Sequence, residues 1–239
     1  VRHGIRLPPR RQWLLVAVWG VGWFCIYNLA LNTAERTLDA GTAAMVVNLA
    51  PLMVVVFSGL FLREGFPKPL LIGAPIAFFG VVLIGVNSSS EAGLDIAGLL
   101  LALLAAVMYA GCTLLQKHLL SSGSDATTLT WLGAVAGTVA LLPWTGSLIG
   151  ELQAAPVEAT LWVVYLGIFP TAVAFTTWAY VLQRSTAGQT SATTYVVPAL
   201  AILMSWIILG EVPTTMMFLG GALCLLGVVV TRMRWRGRR

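Results

Sequence analysis

Eight apolar runs separated by short polar turns set the first limit on this chain, since a helix needs about 20 such residues to cross the hydrocarbon of a bilayer. Backbone N–H and C=O groups in lipid must pair within their own segment, so these runs can only be helices. The first reads Trp13 to Leu31, and the others fall at about 40–62, 70–86, 95–116, 127–149, 158–182, 188–209 and 214–232. The first run follows Arg2, Arg6, Arg10 and Arg11 as a secretory leader would, but it exceeds the roughly 7–15 apolar residues of a signal core and reads as a span. Charged residues make up only 10% of the chain, and the mean hydropathy is +0.88, which leaves no room for a soluble domain in these 239 residues. The fold class is therefore all-α, a polytopic membrane protein whose surroundings are the lipid bilayer. A net charge of +5 raises nucleic acid as a partner, but the basic residues sit in turns and at the ends, where membrane topology puts them, and no nucleic acid is expected.

The chain also repeats itself. Pro51, Glu64, Gly73 and Gly80 recur as Pro198, Glu211, Gly220 and Gly227 at a constant shift of 147, with no gap. At the same shift Ala40-Gly41 falls on Ala187-Gly188, Ser58 on Ser205 and Leu62 on Leu209. Counting Lys and Arg on alternate sides puts Arg36 alone on one face and Arg2, Arg6, Arg10, Arg11, Arg63, Lys68, Lys117, Arg184, Arg232, Arg234, Arg236, Arg238 and Arg239 on the other. That asymmetry places both termini in the cytoplasm of a cell (inner or plasma) membrane protein. The second and seventh spans then run in opposite directions, so the duplication is an inverted repeat of five helices. Residues 95–233 hold a complete copy, residues 1–87 a copy lacking its first two helices, and 234–239 a basic cytoplasmic tail. Residue 1 is Val, which raises a start placed too far downstream; the other expectation is a true eight-helix form.

The residues Ala50-Pro51 through Leu62-Arg63-Glu64 to Gly73 and Gly80, with Pro198 through Leu209-Gly210-Glu211 to Gly220 and Gly227, resemble the EamA type of the drug/metabolite transporter superfamily. The resemblance covers essentially the whole chain and implies two five-helix halves exporting small metabolites, such as amino acids, or drugs from a central cavity by alternating access. The chain departs from it in Arg63-Glu64, where Gly210-Glu211 is more typical, and in the absent first hairpin. The alternative reading is a truncated paralogue that is inactive or depends on another chain, and a homodimer or a partner chain stays open as its assembly.

No Asp, Glu, Lys or Arg falls mid-span, so no intramembrane ion pathway is marked. No Walker, HExxH or GxSxG motif occurs, so neither ATP drive nor an enzyme is expected, and no cofactor or metal is called for. Pro51 and Pro198 lie near the centres of their helices and are expected to bend them beside a cavity. Polar and aromatic residues within spans give the candidate substrate cavity: Tyr27, Asn28, Asn48, Tyr109, Thr171, Trp178, Thr194 and Tyr195, an uncharged set suited to a small amphipathic or zwitterionic solute. Glu64 and Glu211 precede the third and eighth spans, where each is expected to cap the helix that follows it. The repeated glycines, and Gly133 with Gly137, are expected to be seams of close helix packing.

Overall fold

The computed structural model describes residues 7–38, 40–88, 95–210 and 212–233. Among these the chain is all-helical and holds eight helices long and apolar enough to cross a membrane. They are α1 (Arg10–Ala34), α2 (Gly41–Phe61), α3 (Lys68–Val86), α4 (Ile96–Ser121), α5 (Ala126–Ala154), α6 (Val157–Arg184), α7 (Ala187–Ile208) and α8 (Thr215–Arg232). The protein is thus a multi-pass membrane protein. Every expected span is present, but α1, α4, α5 and α6 run several residues longer than their apolar stretches. A polar partner accounts for the end of α4, where Lys117 Nζ donates to the Leu182 carbonyl at 2.8 Å, a cation placed on the final carbonyls of α6.

Packing divides the chain into two units: one through Ile26 with Leu115–Arg184, the other Tyr27–Leu114 with Ser185 onward. In the first, α1 and α5 meet through glycine. A Cβ on Gly20 would lie 2.5 Å from the Gly133 carbonyl oxygen, and one on Gly137 would strike Phe24. Aromatic rings continue this seam, with Phe175 of α6 meeting Trp23 edge to face and Phe24 at a tilt, at centroid distances of 5.7 and 5.2 Å.

The second unit is built on α3 against α8. A Cβ on Gly73 would lie 2.5 Å from the Gly227 carbonyl oxygen, and one on Gly80 the same distance from that of Gly220. The two contacts are one contact made twice, because a shift of 147 turns Gly73–Gly227 into Gly220–Gly80. Between them Cys224 Sγ donates to the carbonyl of Ala77 at 3.4 Å, and these two residues are themselves 147 apart. Residues that meet their own equivalents lie on a local two-fold axis, so the α3–α8 face is self-complementary and the helices cross antiparallel. Around it Val55, Leu70, Ala74, Val81, Ala192 and Tyr195 close a buried core.

A polar tie fixes the start of α4. The carboxylate of Asp95 accepts from the Gly98 and Ala97 N–H groups at 3.0 and 3.1 Å and bonds the side chain of Thr37 in the α1–α2 turn. The Thr37 contact first, then these amides, hold its carboxyl below the ordinary value of 3.8. A depressed folded-state value means stabilisation present above the ordinary value and lost as pH falls through the folded one. Acidification below 3.8 is therefore expected to raise amide exchange at Ala97 and Gly98, and Asp95→Ala to abolish that acid dependence.

The glycines sort by what surrounds them. Gly80→Ala drives a methyl into backbone and is expected to cost about 1–3 kcal/mol. Gly146 and Gly150 have nothing within 4 Å, so Gly150→Ala is expected to be neutral or stabilising by up to ~1 kcal/mol. Melting temperatures in detergent check both.

Candidate functional site

Proline sets the geometry of α2 and α7. Pro198 has no N–H for the Thr194 carbonyl, and that carbonyl instead accepts from Val197 N at 2.9 Å. Two more tight bonds, Thr194 N to Ser191 and Tyr195 N to Ala192, shorten the same turn, and the regular helix is interrupted at Thr194 and Tyr195. At the equivalent place α2 is interrupted at Asn48, three residues before Pro51. There the Asn48 backbone N–H and its side-chain Nδ2 both donate to the Ala44 carbonyl, at 2.9 and 2.8 Å. The expected bends are thus local breaks rather than smooth kinks.

The two breaks are tied to each other. The Tyr195 hydroxyl, on a side chain that is fully buried, donates to the Asn48 carbonyl oxygen at 2.8 Å. Asn48 and Tyr195 are 147 apart, so this is a second meeting of equivalents on the two-fold axis. Beside it Tyr109 hydrogen-bonds the side chain of Thr194, and the Tyr109 ring meets that of Tyr27 at 6.2 Å. Asn48, Tyr195, Thr194, Tyr109 and Tyr27 are therefore brought together, and Asn28 lies half-buried on the same unit. Thr171 and Trp178 belong to the other unit. The Thr171 hydroxyl is spent locally, donating at 3.0 Å to the Leu166 carbonyl that Pro170 leaves without its usual donor.

From the breaks a cavity of about 610 Å³ opens towards the start of α2 and the end of α7. Asn48 and Pro198 line its inner part; Gly41, Ala44, Val81 and Gly85 form one wall, and Ala201, Ile202, Ser205, Thr214 and Met217 the other. None of its described lining residues is charged. Its polar groups are an amide and two hydroxyls, enough to orient a small solute within apolar walls. Among the described residues, no cluster of His, Cys, Asp and Glu could hold a metal ion.

The opposite end of α2 and α7 is shut, and Glu64 shuts it. Its two carboxylate oxygens each accept from Ala187 N–H at 2.8 Å, and one also from Gly188 N–H at 3.4 Å. This corrects the expectation of a cap on α3: Glu64 caps α7, 123 residues away. The turn aims it there at a cost, with Arg63 and Gly65 on either side in the left-handed region at φ 55° and 74°. Glu211 lies outside the described residues. Sequence reasoning missed Gly41, Ser205 and Thr214, although Gly41 with Gly188 and Ser205 with Ser58 were visible as repeat pairs.

Comparison with known proteins now places the chain. Residues 1–86 and 96–233 match the EamA-like transporter family. The chain belongs to that family. It is 32% identical over 236 residues to a probable terminal-alkyne amino-acid exporter of Streptantibioticus cattleyicolor, covering 99% of this chain and 78% of that one. It is 31% identical to the uncharacterized transporter YdfC of Bacillus subtilis (96% and 74%) and 33% identical to an uncharacterized transporter of Archaeoglobus fulgidus (96% and 83%). A crystal structure of a protein at 21% identity aligns with a TM-score of 0.75, covering 97% of this chain and 78% of the other, which is a likeness of fold. Matches to transporters over nearly the whole chain favour a transporter over an inactive remnant.

Removing the Glu64 cap is expected to loosen the shut end. Glu64→Ala should cost about 1–2 kcal/mol and Glu64→Gln, which keeps one acceptor, less. Melting temperatures and trypsin cleavage after Arg184 and Arg63 read the difference.

Proposed function

We propose that this protein exports small amphipathic solutes, neutral amino acids foremost, across the plasma membrane by alternating access around the α2–α7 cavity. The observation that carries the reading is that cavity: uncharged and about 610 Å³, it begins where two repeat-related helices break at mid-membrane. The relative described as a probable amino-acid exporter supports the substrate class. Asn48 offers its side-chain oxygen to a solute ammonium, because its Nδ2 is already committed to Ala44. Tyr195, Tyr109, Thr194 and Tyr27 back the cavity floor and hold it in shape, with Asn28 beside them, and Pro51 and Pro198 keep the two breaks open.

Basic residues concentrate on the Glu64 side, which puts that side and both termini in the cytoplasm, so the cavity as described faces outward. The repeats, 1–87 and 95–233, carry the equivalent halves of the transport cycle. The chain acts as a carrier rather than as an enzyme.

Proteoliposomes loaded with a radiolabelled mixture of neutral amino acids test this. Efflux above empty vesicles is expected, and Asn48→Ala and Tyr195→Ala are each expected to lower it about tenfold while protein level falls less than twofold, the scale of losing one hydrogen bond in a site. Equal loss of efflux and of protein level would remove both residues from the site. No efflux of any neutral amino acid would remove the substrate class.

A further inference from the structure

The inference rests on the transport reading just given and concerns how the cavity closes. The duplication gives each contact in the second unit an equivalent 147 residues away, and along α3 and α8 the equivalents agree. At the ends of α2 and α7 they do not. On the Glu64 side α7 is pressed against the first repeat: a Cβ on Gly188 would lie 2.8 Å from Leu70 Cδ2, 3.3 Å from Ser58 Oγ and 3.5 Å from Val55 Cα. The equivalents of Gly188, Leu70, Ser58 and Val55 are Gly41, Met217, Ser205 and Ile202. All four of these line the open cavity.

We infer that the cavity is the open form of a gate whose shut form is on view at the other end. In the second state Gly41 closes on Ile202, Ser205 and Met217, while Gly188 parts from Val55, Ser58 and Leu70 and the Glu64 cap is released. The residue types match as such a closure requires. Glycine and serine are kept at both ends, and Val for Ile and Leu for Met are swaps of similar volume that the same packing accommodates. Glycine is needed at each closing point because a side chain there would meet the opposing helix before the gate shut. The Tyr195–Asn48 bond lies between the two ends, where equivalents meet, so it serves as the pivot in both states.

Cysteine accessibility in membrane vesicles tests this on the full chain with Cys25, Cys112 and Cys224 replaced by alanine. A single cysteine at Ser205 or at Ser58 is labelled with a water-soluble maleimide. Gly41→Leu is expected to raise labelling of S205C about tenfold and to protect S58C, as overpacking one of two states shifts their balance. Gly188→Leu is expected to do the reverse. No change at either site, or both variants moving both sites the same way, overturns the gate. Should the leucine variants fail to reach the membrane, paired cysteines decide: G188C with S58C and G41C with S205C should each cross-link, and locking one pair should prevent the other. Failure of the Gly41–Ser205 pair to cross-link under any condition overturns the inference. Labelling needs no solute, so reciprocal labelling without amino-acid efflux retains the gate and removes the substrate class, and efflux with non-reciprocal labelling removes the gate alone.

Discussion

The approach of α3 to α8 through bare backbone is the constraint on which the second unit depends. Lipid gives two helices no hydrophobic reason to associate, so contact has to come from packing close enough to bring backbones together. Gly73, Gly80, Gly220 and Gly227 allow that, and the two-fold relation makes each contact count twice. A face that fits its own equivalent needs only one good solution. It also leaves α2 and α7 to be placed by the same axis, which is why their breaks come to lie against each other.

Four of the prolines within spans show how a membrane helix meets the loss of a donor. Pro170 is served by the Thr171 hydroxyl and Pro198 by a tightened turn, while the break ahead of Pro51 is held by the Asn48 side chain and Pro75 passes within an unbroken helix. The polar residues that an apolar span tolerates are thus largely committed to the backbone. In Asn48 it is the side-chain Nδ2 alone that is committed in this way.

The number and order of the spans, the duplication and the glycine seams were legible in the residues, because each follows from local hydropathy or from a fixed spacing. Glu64 was not, since a carboxylate looks the same whether it caps its own helix or one 123 residues on. The cavity walls were legible only in part. A search for polar side chains finds Tyr27, Tyr109 and Thr194, which bond one another, and passes over Gly41, Ala44 and Gly85, whose contribution is the space they leave. Nor did sequence order foretell that the packed units would each draw helices from both copies of the repeat.

The two meetings on the axis also mark where the copies have parted. In a symmetric dimer of identical five-helix chains, a residue on the axis faces its own copy, so tyrosine would face tyrosine and cysteine would face cysteine. Here Tyr195 faces the backbone of Asn48 and Cys224 faces that of Ala77. Each contact is one-sided, a side chain of one copy set against the backbone of the other. The copies differ in residue type at these two positions, Asn against Tyr and Ala against Cys, so the halves are not interchangeable at the points where they meet.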